Sequence, residues 1–175
     1  MQKGVVRKRR PSQLSEYGRQ LQAKQELKRD YNLRERQFKN YVNEILGRSK
    51  HEGEASHLLL KKLETRLDNA VFRSGFAKSR LQARQIITHG HILVNGKRVS
   101  TPSYQITKGE VVSLGAAALN KTLFKNVIVS IAKYSPPSWI ELDKEKMESK
   151  IIEFPTSQDI QITVDIPLVF EFYSR

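Results

Sequence analysis

The sequence predicts an α+β fold: helices first, then a helix–hairpin unit and short strands. Three observations carry this. Apolar side chains recur at helical spacing through residue 67. A capped helix then runs into Asn95–Gly96, the strongest two-residue hairpin signal. Short strand-like runs follow a Pro136–Pro137 break. A chain of 175 residues can build one ordinary domain or two small ones.

Residues 1–11 (MQKGVVRKRRP) lack apolar periodicity and read as a basic arm that orders against a partner. Ser12 or Ser15 can cap a first helix carrying Leu14, Tyr17, Leu21, Leu27 and Tyr31, which Asn32 interrupts. Phe38, Tyr41, Val42 and Ile45 form the stripe of a second helix, and Gly47 stops it. After the loop 48-RSKHEGEAS-56, Ser56 is expected to cap a third helix through Leu59, Leu60, Leu63 and Leu67. Tyr17, Tyr31, Phe38 and Tyr41 could stack on nucleobases. At helical spacing they read instead as core, because a ring buries so much area, with hydroxyls able to reach a phosphate at the rim.

In 79-SRLQARQIITHGHILVNGKRV-99, Ser79 and Gln82 form a capping box, so a helix starts at Arg80. Ala83, Ile86 and Ile87 are its apolar stripe, and Gly90 ends it as a left-handed cap. Ile92–Val94 and Val99 flank the Asn95–Gly96 turn. A helix is expected near 116–133, then strands around Trp139–Leu142 and Lys150–Phe154, with Trp139 in the core. The tail conflicts with itself. LVFEFY is strand-like by propensity, whereas Asp165-Ile166-Pro167 reads as a cap with proline in the first helical turn.

Charge is the functional signal. Lys and Arg total 31 against 18 Asp and Glu, for a net charge of +13, an excess that calls for an anionic partner. It comes in blocks: 14 basic and 5 acidic residues in 1–50, and 8 and 2 in 65–110. Residues 111–175, with 7 and 8, are nearly neutral. A solvated surface mixes its signs, so blocks indicate a footprint. Arg19, Lys24, Arg34, Arg36 and Lys39 fall largely outside the helical stripes of the first block. In the second, Arg80 and Arg84 lie one turn apart near an anion-attracting helix N-terminus, and Lys97 and Arg98 leave the hairpin. Preorganised cations with no acid among them suit a folded RNA backbone. Arg80 and Arg84 lie off the apolar stripe, so removing both is expected to weaken RNA binding while stability barely moves.

Other classes are disfavoured. Cysteine is absent, which excludes disulfides and thiolate metal sites. His51, His57, His89 and His91 show no metal-ligand pattern, and no cofactor is expected. No apolar run is long enough to span a bilayer, and the basic N-terminus lacks the apolar centre of a secretory signal. There is no phosphate loop of the GKS type and no nucleophile–base constellation.

The run 65-TRLDNAVFRSGFAKSRLQARQIITHGHILVNGKRVSTPSYQITKGEVVSL-114 resembles the RNA-binding domain named after bacterial small-subunit ribosomal protein four. The first block, 15-SEYGRQLQAKQELKRDYNLRERQFKNY-41, is similar to the helical domain that precedes it in that ribosomal family. The segments 139-WIELDKEKME-148 and 168-LVFEFYSR-175 are similar to the family's last third. The resemblance implies a helical domain, residues 1–64 with the basic arm, joined by a docked C-terminal helix at 166–175. Residues 65–165 would be an inserted RNA-binding domain with a small antiparallel sheet packed on helices, holding the helix–hairpin motif. The same resemblance implies a role in the ribosome. The protein would clamp a helical junction of small-subunit ribosomal RNA and nucleate assembly. It would lie near the messenger RNA entry side beside ribosomal protein five, with influence on accuracy. The expected RNA contacts are Lys8, Arg9, Arg10, Tyr17, Arg19, Lys24, Arg34, Arg36 and Lys39 in the first block. In the second they are Lys78, Ser79, Arg80, Arg84, His89, His91, Asn95, Lys97 and Arg98. The place of work would be the small ribosomal subunit, in bacterial cytoplasm or inside an organelle that encodes the protein.

One departure stands out. Many relatives begin with a longer segment, sometimes with a zinc-holding cysteine cluster, whereas this chain starts close to RKRRPS and has no cysteine. A smaller RNA footprint, or replacement of that segment by another protein, is expected. Two rival readings fit less well. Arg66-Leu67-Asp68 matches a string found around the catalytic aspartate of pseudouridine synthases, but there it follows the RNA-binding domain. Here it precedes that domain, with little chain left to build a catalytic cleft. Asp68 therefore reads as a structural carboxylate, paired with Arg66 or capping a helix. A free RNA chaperone or rescue factor would need neither the N-terminal helical block nor the matching tail.

Overall fold

The computed structural model describes residues 14–49, 51–119, 122–156, 159–160 and 162–174. The expected basic arm, with Lys8, Arg9 and Arg10, lies outside them. Helix α1 (Glu16–Asp30) starts at Ser15, whose hydroxyl accepts from the Gly18 amide at 3.2 Å. It stops at Asn32, which takes a left-handed φ of 50°. Helix α2 (Glu35–Leu46) buries Phe38, Val42 and Ile45 and ends at Gly47. Helix α3 spans Glu52–Glu64 from a cap at His51.

The third helix corrects the expectation. Ser56 lies inside it, and Leu67 belongs to the next helix, α4 (Leu67–Arg73). The break has a tertiary cause. The Thr65 carbonyl accepts from the Ile106 amide, and the Leu67 amide donates to the Tyr104 carbonyl, so the chain pairs with a distant strand-like segment instead of continuing the helix.

Helix α5 (Arg80–Thr88) is capped by Ser79, whose hydroxyl accepts from the Gln82 amide. The reciprocal bond shifts by one residue: Gln82 accepts from the Lys78 amide. Gly90 follows with φ 71°, and the guanidinium of Arg98 lies over it so closely that a Cβ there would fall 1.9 Å from Nε. Strands β1 (Ile92–Val94) and β2 (Lys97–Arg98) close the hairpin, with Val94 opposite Lys97. Asn95 and Gly96 have φ of 49° and 75°, the two positive values a type I′ turn requires. The Asn95 side chain accepts from the Val111 amide at 2.9 Å, tying the turn to the neighbouring strand.

Gly96→Val should lower stability by about 1–2 kcal/mol, because a β-branched residue would be held left-handed. Nothing lies within 4 Å of the added Cβ, so the loss would be backbone strain and not a clash. A denaturant midpoint equal to the wild type would contradict this.

Strand β3 (Val111–Leu114) pairs with β1, then come α6 (Ala116–Leu119) and α7 (Thr122–Ile131) in place of the one helix expected. Strands β4 (Ile140–Asp143) and β5 (Glu148–Ile151) complete an antiparallel sheet of order β2-β1-β3-β5-β4. Its inner face, including Ile92, Val112 and Ile151, packs on α4 and α5 residues Val71, Ala83 and Ile87, with Trp139 buried among them. The tail is helical: α8 (Ile166–Tyr173) has its proline in the first turn, although the Asp165 side chain makes no capping bond.

Two apolar clusters result. One joins α4, α5, α7 and the sheet. The other joins α1, α2, α3 and α8, with Ile160, Ile162 and Val164 packed on it. Helix α8 returns across the chain to α1, where Phe172 lies 5.7 Å from Tyr17 and Gln20 donates to Glu171 at 2.8 Å. The aromatics divide. Tyr31 and Phe38 are buried as expected and Tyr41 is half-buried, but Tyr17 is 51% exposed and is not core.

Candidate nucleic-acid interface

The two clusters meet across a polar seam. At its centre are two carboxylates that a helix-period reading assigns to no surface. Glu64 is wholly buried and accepts from the Tyr31 hydroxyl at 2.6 Å, from Asn69 Nδ2 at 2.6 Å, and from Arg73 through Nε and Nη2 at 3.1 and 2.9 Å. Burial, followed by the Glu64 charge, pushes the Tyr31 hydroxyl far above its ordinary range and keeps it a donor. Asp68 accepts a fork from Arg66, at 3.0 and 2.6 Å, and a second from Arg84, at 3.3 and 2.8 Å. Arg66 is almost fully buried and also donates to the Tyr41 hydroxyl at 2.5 Å. Among the described residues, no buried side-chain atom of this seam lacks a partner.

Arg80 and Arg84 span the seam from α5. Arg84 Nη1 donates to the Asn32 carbonyl at 2.8 Å, and Arg80 Nε donates to Asn69 Oδ1 at 2.7 Å. The Arg80 guanidinium lies 4.7 Å from the Tyr31 ring centroid and 4.8 Å from that of Phe72, within cation–π range of both. These are not the loose surface cations that the absence of acid between residues 79 and 99 suggested. Arg84 finds its acid in Asp68, and Arg80 is held by Asn69 and two rings, so the expectation that their removal barely moves stability is corrected.

Lys24 needs a second correction. Expected outside the apolar stripe, it is only 5% exposed. Its Nζ pairs with Glu35 at 2.8 Å and lies 4.5 Å from the Phe172 ring centroid, holding α1, α2 and α8 together. Burial raises the Glu35 pKa, but hydrogen bonds from Lys24, Lys28 and Tyr173 outweigh it and bring the group to about 2.

Two grooves open where the seam reaches the surface. One, of about 390 Å³, is lined by Arg29, Asp30, Asn32 and Phe72 on one side and the start of α5, Lys78 to Leu81, on the other. The second, of about 260 Å³, is lined by Arg34, Gln37, Arg66, Arg84, Pro102 and Ser103. The structure thus brings Arg34 beside Arg84, and Lys78, Ser79 and Arg80 beside Arg29. Arg36 and Lys39 are exposed on α2, as is Arg19 on α1. Asn95, Lys97 and Arg98 are exposed at the hairpin, and His89 is exposed beside it, with its carbonyl 3.4 Å from Arg98 Nη2. His91 is half-buried with its ring edge-on to Phe124 at 5.8 Å. Tyr17, Arg19 and the hairpin residues line neither groove.

Arg29 and Asp30 were not among the expected contacts. The signal for them is local: they occupy the last turn before the Asn32 break, which delivers that turn to the seam. Among the described residues, no group of three or more His, Cys, Asp or Glu is placed to hold a metal, and no helix is long and apolar enough to cross a membrane.

Comparison with known proteins decides the family. The family described as "Ribosomal protein S4/S9 N-terminal domain" matches residues 1–64, and the "S4 domain" matches residues 65–112. The small ribosomal subunit protein uS4 of Persephonella marina is 44% identical over 166 residues, covering 94% of this chain and 80% of the relative. That of Dictyoglomus turgidum is 47% identical over 164 residues, covering 93% and 76%. The chain belongs to the uS4 family. The sequence resemblance and the α+β class are both borne out. The uS4 family is structural and not enzymatic, which removes the catalytic reading of Arg66-Leu67-Asp68. In this uS4 chain Asp68 is the structural carboxylate it was expected to be, paired with Arg66. The boundary between the two family matches falls at Thr65, where the chain leaves α3 to pair with residues 104–106.

Proposed function

We propose that this protein is a ribosomal RNA-binding component of the small ribosomal subunit. It clamps a helical junction of small-subunit ribosomal RNA, and by binding early it nucleates assembly. In this reading the chain works as two units, residues 1–64 with 166–175 and residues 65–165, although Ile160, Ile162 and Val164 of the second pack on the apolar cluster of the first. Each presents its own cations to the RNA. The arm contributes Lys8, Arg9 and Arg10. The first unit adds Arg19, Arg34, Arg36 and Lys39, and the second adds Lys78, the start of α5, and the hairpin's Lys97 and Arg98. A place near the messenger RNA entry side, contact with ribosomal protein five and an influence on accuracy belong to the same reading, as does work in bacterial cytoplasm or an organelle interior.

The observation that carries it is the cationic seam with its two grooves. Of the groove residues, Arg29, Arg34 and Lys78 have no ion-pair partner among the described residues; Glu64 and Asp68 are consumed by other arginines, and Asp30 is the acid that lines a groove. Cations left free at fixed spacing suit phosphates. Binding of the isolated protein to small-subunit ribosomal RNA should therefore weaken steeply with ionic strength, losing about tenfold or more between low and moderate salt. An affinity that hardly changes in a filter-binding titration would refute the phosphate clamp. Hairpin geometry should matter as well as charge, so Gly96→Val should weaken binding more than Lys97→Ala. A member of the particle should also sediment with small subunits through a high-salt wash, whereas a free chaperone would be released.

A further inference from the structure

The groove between the end of α1 and the start of α5 holds two groups that a phosphate site does not need. Leu81 is 66% exposed on the first turn of α5, adds nothing to the core, and lines the groove together with half-buried Phe72. Asp30, the last residue of α1, brings a carboxylate among Arg29, Lys78 and Arg80. It has no hydrogen-bond or ion-pair partner among the described residues, although its charge is felt at Arg80. A carboxylate repels phosphate, and an exposed leucine offers it nothing. Both make sense if the groove takes a nucleobase as well as its backbone.

We propose that this groove receives a single unpaired guanine of the RNA. The inference rests on the RNA-binding reading above and sharpens it from backbone contact to base recognition. Unpaired bases can leave the stack and present their Watson–Crick edge to a protein. Of the four, guanine alone carries two adjacent N–H donors on that edge, N1–H and the N2 amine, which a carboxylate accepts as a pair. Asp30 supplies that acceptor. Leu81 and Phe72 supply an apolar surface for the base, and about 390 Å³ is room for a base with part of its sugar. The flanking phosphates meet Arg29, Lys78 and the first free amides of α5, a helix of nine residues. Uracil, cytosine and adenine offer Asp30 fewer donors, so the groove is selective.

The test uses the full chain and short RNA hairpins of one length, fully paired or carrying a single unpaired G, A, C, U or inosine, read by fluorescence anisotropy at moderate salt. The readout is the affinity ratio of each bulged hairpin to the paired one within one protein. The unpaired-G hairpin should bind about tenfold tighter than the paired one, within the range for one bidentate base contact. Inosine, which lacks the N2 amine, should lose most of that preference. Asp30→Ala should bring the G ratio close to one, and Leu81→Ala should reduce it, both variants keeping the wild-type circular dichroism spectrum. Equal ratios for all hairpins, or a G preference that survives Asp30→Ala, would overturn the guanine site and leave the phosphate clamp standing. Failure of the wild type to bind even full-length small-subunit ribosomal RNA would overturn the RNA-binding reading, and this inference with it.

Discussion

Asp68→Ala should destabilise the protein by about 3–5 kcal/mol, the range for removing one partner of a buried ion pair. The reason is what remains. Among the described residues, Arg66 would keep its guanidinium in a buried site with only the Tyr41 hydroxyl as acceptor, and Arg84 would keep only the Asn32 carbonyl. The Asn69 amide would also lose its contact to Asp68 Oδ1 at 2.9 Å. Asp68→Asn keeps the shape and one acceptor, so its effect should be smaller in the same direction. Replacing the seam residues Arg66, Asp68 and Arg84 together with apolar side chains should recover much of the loss, because no charge is then stranded. Denaturant unfolding with a common m-value checks all three. A shift below about 1 kcal/mol for Asp68→Ala would mean that solvent enters the seam and screens it.

The double variant Arg80→Ala with Arg84→Ala should lose both stability and RNA affinity. On the RNA side, about 1–3 kcal/mol goes with each charge-assisted contact removed. On the folding side, the variant gives up Arg80 over Tyr31 and Phe72, the bond to Asn69, and the Arg84 bridge from Asp68 to Asn32. Together these should amount to about 2–4 kcal/mol, with the half-buried position of both side chains keeping the figure modest. Unfolding curves measure the second effect. Titrating RNA well below the unfolding temperature measures the first, since the folded fraction is then near one. A double variant as stable as the wild type would return these arginines to the role of free surface cations.

Much of the architecture is legible in the sequence because it depends on neighbours within one or two turns. Ser15 and Ser79 cap helices through amides three residues on. Asn95–Gly96 turns the hairpin because those two residues accept positive φ. Pro167 favours the helical reading of the tail over its strand-like composition. Where partners are distant, sequence reasoning fails. Ser56 is as good a cap as Ser79 in sequence, yet α3 begins before it. The end of α3 is set by pairing of Thr65 and Leu67 with residues some forty positions away.

The site divides along the same line. Its sign and its two blocks were determined by the sequence alone, because an excess of +13 with a nearly neutral last third is fixed by composition and order. Which cations stay free was decided only by tertiary structure. Lys24 looks like a surface residue by spacing, but Glu35 and the rings of α8 enclose it. Arg84 looks unopposed within its own segment, but Asp68 lies 16 residues away and the Asn32 carbonyl 52. Tyr31 reaches Glu64 across 33 residues. Charge is a property of composition and is read directly, whereas the free energy of a charge depends on what desolvates and pairs it. Those neighbours are chosen by the packing of two separate cores, not by adjacency along the chain.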